Sequence, residues 1–354
     1  MIGPRPDDPK DLRLRAGADL LAIRVLACVA ICAATSATAQ QVGPWTEAIV
    51  SVRDLDKASR LLREVGSWQV TEKGQLSRDE LHYWRLPATA TAAFMRVCAP
   101  ATDTGCIRFV RFQGVVQRPV RLAARAWDTG GIFSIMVRSK DVQSVFDRAI
   151  ASGWWAESEP IGFQFGGSVL KNVVLQGPDG FQLAVYERST PPFTAFSLGS
   201  ISQGFNSMRM VRDQRASVGF YRKLGFKTVF DSDYRDPAPQ ASNFSLPHNL
   251  TQTVIRRASA LQPVDGEAGR VEVMEFVGLV GKSASGFARA PNLGILSVRY
   301  PVKGLAQYQA QVAERGVPAV QSVRAVSVAG MGRVDLFAVA DPDGALTEFY
   351  EVTQ

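Results

Sequence analysis

Two stretches of this chain repeat one phrase. Residues 177–187 read GPDGFQLAVYE and residues 341–351 read DPDGALTEFYE. Both carry P-D-G, an apolar-rich run and a closing Y-E, but the later copy has Glu348 where the earlier has Ala184. A lone carboxylate can hold a divalent cation or move a proton only with partners. Nitrogen partners are scarce, because the chain has 2 histidines, His82 and His248. Two imidazoles beside a carboxylate hold ferrous iron, and zinc wants His or Cys in number; neither set is available. His82, in LHYWRLP, is expected on a strand, and His248, in LPHNL, in a turn. Nucleophile triads, phosphate-binding glycine loops and dinucleotide fingerprints are missing from the sequence.

Cys98 and Cys106 stand in FMRVCAPATDTGCIRFVRF, where two strand-like flanks enclose a turn-rich middle. A disulfide closing this hairpin suits an oxidising compartment. The N-terminus points the same way. Arg24 precedes the short apolar run VLACVAICAA (25–34), and A-T-A at 37–39 follows it. This reads as a secretory signal peptide over 1–39, too short in its apolar part to span a bilayer. The expected location is periplasmic or secreted, with no membrane association after cleavage.

The remaining composition is ordinary. The chain is 46% hydrophobic and 21% charged, with a formal net charge of +7. The basic residues are scattered and do not alternate with aromatics, so nucleic acid is not an expected partner.

Four segments each open with a strand-like run and continue into a helix that ends near glycine: 47–70, 134–155, 206–229 and 297–320. Apolar residues recur at helical spacing, as at Val145, Ala149 and Ile150, and Gly225 sits where a helix C-terminus wants glycine. Strand-like pieces follow each helix. They are LHYWRLP, AAFMRVC and CIRFVRF; VLKNVVLQG and FQLAVYE; NFSL, TQTVIRR and RVEVMEFVG; VRAVSVA, RVDLFAVAD and LTEFYEV. The unit is βαβββ, repeated four times, and the fold class is α+β. The stretch RSTPPFTAFSLGS has two prolines and small residues at the midpoint, so 189–199 is expected as a linker between domains at 43–188 and 200–354.

Four such units in two pairs resemble the vicinal oxygen chelate superfamily, which includes glyoxalase I, extradiol dioxygenases and bleomycin-resistance proteins. The motif residues are Val211, Arg212, Asp213, Ser217, Phe220, Tyr221, Leu224, Gly225 and Phe226, with the D-P-D-G-x-x-x-E ending at Asp341 to Glu348. The resemblance implies two cupped mixed sheets, each enclosing a ligand. It also implies metal-ligand positions on the first and last strands of a unit. Carried over, these are Glu47, Ser134, Asn206 and Ser297, then Ala184 and Glu348. No imidazole falls on any of them.

The expected function is binding of a small apolar or aromatic molecule, carrying an acidic group, without the usual metal. Asn206, Ser297, Ser134, Met208 and Met210 are the expected ligand contacts. The enzyme alternative is a lyase, isomerase or dioxygenase-like protein using Glu348, with Glu47 if units one and four share a cup. Glu47, Ser297 and Glu348 could then hold Mg²⁺ or Mn²⁺, and Fe or Zn stay open as choices; no cofactor is otherwise expected. A protein-interaction module is the third reading, favoured if both cups are filled by side chains, and a homodimer is allowed. Glu272 and Glu275 lie three apart on one strand, so at most one faces a cup. GWWAESEPIGFQFGG (153–167) reads first as aromatic packing, with a flap over the first cup, hinged at Gly166 and Gly167, as the alternative.

Overall fold

Three of the four unit helices begin at an aspartate that follows the first strand. Asp54 accepts from the Lys57 amide, Asp141 from Ser144 and Asp213 from Ala216. These are N-caps, which satisfy amides left free by the helix start. In the fourth unit Gly304 stands at that place with φ 72° and no side chain to offer. Glu351 supplies the acceptor instead, taking the Gly304 and Leu305 amides at 2.7 and 2.9 Å. The last strands of two other units do likewise: Glu187 accepts from Val142 and Glu275 from Gln214. The closing glutamate of the repeated phrase therefore ties the last strand of a unit to its helix.

The computed structural model describes residues 42–121, 125–165, 167–194 and 198–353. The expected leader at 1–39 and the hinge residue Gly166 lie outside the described residues. Unit one comprises β1 (Glu47–Ser51), α1 (Leu55–Glu64), β2 (Gln69–Gln75), α2 (Arg78–Tyr83), β3 (Thr91–Cys98) and β4 (Cys106–Gln113). Unit two comprises β5 (Ser134–Arg138), α3 (Val142–Ala151), β6 (Trp155–Ala156), β7 (Ile161–Phe165), β8 (Ser168–Gln176) and β9 (Gln182–Thr190). Unit three comprises β10 (Asn206–Met210), α4 (Gln214–Lys223), β11 (Lys227–Tyr234), β12 (Arg256–Gln262) and β13 (Arg270–Phe276). Unit four comprises β14 (Gly294–Pro301), α5 (Leu305–Glu314), β15 (Gln321–Val328), β16 (Gly332–Ala340) and β17 (Leu346–Val352).

The pairing of units differs from the expected division at 189–199. One sheet runs β15-β16-β17-β14-β1-β4-β3-β2 and joins unit one to unit four. The other runs β11-β12-β13-β10-β5-β9-β8-β6, with β7 on β8, and joins unit two to unit three. The segment expected as an interdomain linker connects β9 to β10 within one sheet. The chain halves 43–188 and 200–354 are therefore not the two cups. Sequence could not decide this, because β1, β5, β10 and β14 are buried along their length, save Pro301 at the end of β14, and each would satisfy any of the others as a central neighbour.

The P-D-G turns hold the two sheets to one another. Asp179 accepts from the Arg53 amide and guanidinium at 2.7 and 2.8 Å, and Asp343 accepts from the Arg212 amide and Nε at 3.1 and 2.9 Å. The R-D pairs at 53–54 and 212–213 thus divide their work: arginine clamps the other sheet and aspartate caps the helix. Behind the sheets one apolar cluster joins residues of α1, α3, α4 and α5 to both.

Two strand expectations are corrected. LHYWRLP, with His82, is not a strand: Ser77 caps the short α2 by accepting from the Glu80 amide, and the strand of that unit is β2. NFSL lies in the long connection between β11 and β12 rather than on a strand. The disulfide forms as expected, joining Cys98 to Cys106 across β3 and β4 with both residues buried. Replacing both cysteines by alanine is expected to cost about 2–3 kcal/mol by loop-closure entropy, read as a lower urea midpoint with an unchanged slope.

Candidate functional site

In the cup of units one and four, the structure brings Glu47, Ser297 and Glu348 together and sets a guanidinium between them. Arg299 lies two residues after Ser297 on β14, so both side chains face the cup. Its Nε donates to Glu348 Oε2 at 2.6 Å and its Nη1 to Glu47 Oε1 at 3.1 Å. Ser297 Oγ donates to the other Glu348 oxygen at 2.9 Å. Glu47 also accepts from Arg108 Nε at 2.9 Å and Arg96 Nε at 3.1 Å. Glu80, from α2, comes within 3.7 Å of Arg299 and accepts from the Ala329 amide. Three buried carboxylates thus meet the buried Arg299 and Arg108 and the partly exposed Arg96, and a fourth, the partly exposed Glu72, reaches Arg108 at 3.6 Å.

Electrostatics follow from that balance. Burial alone would push the Glu47 carboxyl up, but Arg108, Arg299 and Arg96 outweigh it and hold it below the ordinary range. For Glu80 burial wins and the carboxyl rises. Burial opposes the charge on Arg299, yet Glu348, Glu47 and Glu80 keep it firmly protonated. The rest of the cup is packed by Tyr83, Trp84, Phe94, Phe112 and Leu336. Phe94 lies against Arg108, and Trp84 against Arg299. Ser77 Oγ donates to the Ser327 carbonyl, which fastens α2 to β15 over the opening. Both oxygens of Glu47 and of Glu348 are spent inside the protein, so the expected catalytic or metal-holding role of this pair is not what the geometry favours.

The cup of units two and three is different. The positions matching Glu47 and Ser297 on the first strands are Ser134 and Asn206. On the last strands, register places Ala184 beside Met136 and Glu272 beside Met208, just as Glu348 lies beside Arg299. Glu272 is therefore the counterpart of Glu348. Glu275 points the other way to cap α4 and is not solvated as a free charge.

A cavity of about 310 Å³ opens above these residues. Met136, Phe205, Ala258, Ala260 and Met274 give it an apolar floor. Phe163 from β7 and Phe244 from the β11–β12 connection close it from above. These two coverings are latched by Asn243, which donates to Asn172 Oδ1 at 2.7 Å and accepts from Ser158 at 2.9 Å. On one wall Arg138 donates to both oxygens of Glu267, and on the other Arg256 donates to Asp236 at 2.7 Å. At the base Asn206 Nδ2 donates to Glu272 Oε2 at 3.0 Å, while Asn206 Oδ1 is buried with no partner. Burial, the largest influence on Glu272, pushes its carboxyl up to about 7 against the pull of Asn206, Arg138 and Arg270.

Of the expected contacts, Asn206 lines the cavity. Met208 and Met210 pack beneath it with Phe133, Met136 and Ala184. Ser134 is buried beside them with its hydroxyl unpaired, and Ser297 belongs to the filled cup. Arg138, Glu267 and Arg256 were not singled out by sequence; Glu272 was one of a pair of which at most one could face a cup, and it is the one that does. Only Glu272 had a signal, its place in the last strand of a unit, and no P-D-G turn precedes it.

The metal implied by the resemblance does not fit either donor set. One cup offers a hydroxyl, a methyl, an amide and one carboxylate. In the other, guanidiniums fill the space between the carboxylates. Among the described residues no group of three or more His, Cys, Asp or Glu side chains is placed to hold an ion. His82 lies on α2 and His248 in a short 3₁₀ turn.

Comparison with known proteins agrees with this architecture. No protein-family model matches the sequence, and no curated protein does. Among solved structures, glyoxalase I from Zea mays superposes with a TM-score of 0.59 at 16% identity, covering 88% of this chain and 93% of that one. A putative dioxygenase from Bacillus subtilis subsp. subtilis str. 168 superposes with a TM-score of 0.50 at 10% identity, covering 89% and 86%. At such identities the likeness is one of fold.

Proposed function

We propose that this chain, whose fold is that of the vicinal oxygen chelate superfamily, binds a small apolar or aromatic molecule in the cup of units two and three and uses no family-type metal there. The observation that carries the reading is the contrast between the cups. One is filled by its own side chains and a buried ion cluster. The other keeps a cavity of about 310 Å³ with an unpartnered amide oxygen at its base. That volume is at the small end of ligand sites. Export to the periplasm or beyond is part of the proposal, supported by the leader-like N-terminus and the buried disulfide.

The catalytic alternative keeps one specific support, and it moves from Glu348 and Glu47 to Glu272. A carboxyl raised to about 7 can exchange a proton in neutral solution. The cavity's other two carboxylates, Glu267 and Asp236, are each held by an arginine, which favours binding over proton transfer.

The test is calorimetric titration with 2-naphthamide. Wild type should bind one equivalent. Ala260→Trp, which puts an indole into the cavity from β12, should weaken binding by about a hundredfold, as loss of most of the ligand's buried apolar surface implies. Equal binding by the two proteins would exclude this cup as the site.

A further inference from the structure

Four guanidiniums and three carboxylates line the open cavity: Arg138, Arg188, Arg256 and Arg270 against Asp236, Glu267 and Glu272. Their pairing is uneven. Arg256 is answered by Asp236 at 2.7 Å. Glu267 serves both Arg138, at 2.8 Å, and Arg270, at 3.6 Å. Glu272 is hydrogen-bonded to Asn206 at the base. Arg188 is left over. Among the described residues no carboxylate pairs with it, and its buried Nε has no hydrogen-bond partner.

The placement of Arg188 adds to this. It lies two residues beyond Tyr186 on β9, and both side chains line the cavity. Its Nη2 donates to the Pro192 carbonyl at 3.2 Å, and its guanidinium lies 5.1 Å from the centre of the Phe193 ring. Arg138 lies 5.0 Å from the centre of the same ring. The two guanidiniums therefore stand at one end of the cavity, where Glu267 is shared by Arg138 and Arg270 and does not pair with Arg188. A carbonyl and an aromatic ring fix Arg188 in place, and neither carries a charge to offset its own.

We propose that the ligand is an aromatic acid whose carboxylate pairs with Arg188 while its rings lie over Met136, Ala258, Ala260 and Met274. This rests on the small-molecule reading of the cup and deepens it by naming the ligand's charge and its orientation. The reverse orientation is disfavoured. At the base the Asn206 amide nitrogen is spent on Glu272, so an incoming carboxylate would meet the unpartnered Asn206 oxygen and a carboxyl. Arg256 also has a buried Nε without a partner, but Asp236 already balances its charge, so it calls for a neutral acceptor. A hydrogen bond between charged partners is stronger than one to a neutral amide. Arg188 is only partly buried, and screening by solvent limits the gain to about tenfold in Kd.

The experiment titrates naphthalene-2-carboxylate and the neutral 2-naphthamide into wild type and into Arg188→Gln. Wild type should prefer naphthoate by about tenfold, and Arg188→Gln should erase the preference. Should that variant not fold, wild type is titrated at about 0.05 M and about 0.5 M NaCl. Naphthoate binding should then weaken about threefold at the higher salt while naphthamide binding holds. Naphthoate bound by wild type no better than naphthamide overturns the inference. So does a preference that survives in Arg188→Gln, or naphthoate binding indifferent to salt. In each of these cases the small-molecule reading stands. Failure of both probes to bind removes the inference and the reading together.

Discussion

Arg299→Ala is expected to destabilise the protein by about 3–5 kcal/mol, the cost typical of removing one partner from a buried ion pair. The substitution leaves Glu47, Glu80 and Glu348 facing one another in a closed cup, with Arg108 and Arg96 on one side only. It also opens a void under Trp84, whose ring lies against the guanidinium. The loss should depend on pH in a definite direction. Without Arg299 the buried carboxylates acquire folded values above their unfolded value of about 4.3. A carboxyl raised in this way contributes fully below its unfolded value and loses that contribution as pH rises. The deficit against wild type is therefore widest near neutrality and narrows toward pH 4, as read by urea denaturation at a series of pH values. A deficit below about 1 kcal/mol, constant with pH, would mean that water reaches the cluster.

Asp341→Ala is expected to cost about 3 kcal/mol, from lost charge-assisted hydrogen bonds and an orphaned buried cation. Asp341 opens the second copy of the repeated phrase. One of its oxygens accepts from the Asp343 and Ala345 amides at 3.0 and 2.8 Å, which shapes the P-D-G turn, and the other accepts from the Tyr221 hydroxyl. The buried Arg209 stands 3.8 Å away. Burial nonetheless pushes the Asp341 carboxyl up to about 6. Its contribution is thus complete below the unfolded value of about 3.9, declines as pH rises from there, and is lost once pH passes about 6. The alanine variant should lose that part of the pH slope along with the stability, in the same urea series. In the first copy Gly177 stands at this place, and the Trp154 ring fills the room that a side chain would need.

The fold was legible because each unit states itself in local chemistry. An apolar strand, a capping aspartate, a helix face and a terminal glycine recur in order, and tertiary context leaves them as written. Pairing was not legible, since four equally buried first strands carry no label for a neighbour. α2 was misread from the apolar letters of LHYWRLP, although Ser77 and Glu80 form the S-x-x-E spacing of a capped helix start. The site was half legible. Absence of imidazole followed from counting, and Asn206 followed from register. Arg299 was invisible because its meaning depends on Glu47 lying 252 residues away in sequence. Strand alternation narrowed the cup-facing carboxylate to Glu272 or Glu275, but the turn before them, DGEAG (265–269), is not P-D-G and so did not mark Glu272 as the counterpart of Glu348.

The most direct test of the account is a crystal structure of the protein grown with 2-naphthamide. The account predicts one bound molecule per chain, between Asn206 and Phe163, with Arg299 still joined to Glu47 and Glu348. A ligand or metal ion seated among those three residues instead, with the cavity over Glu272 left empty, would contradict it.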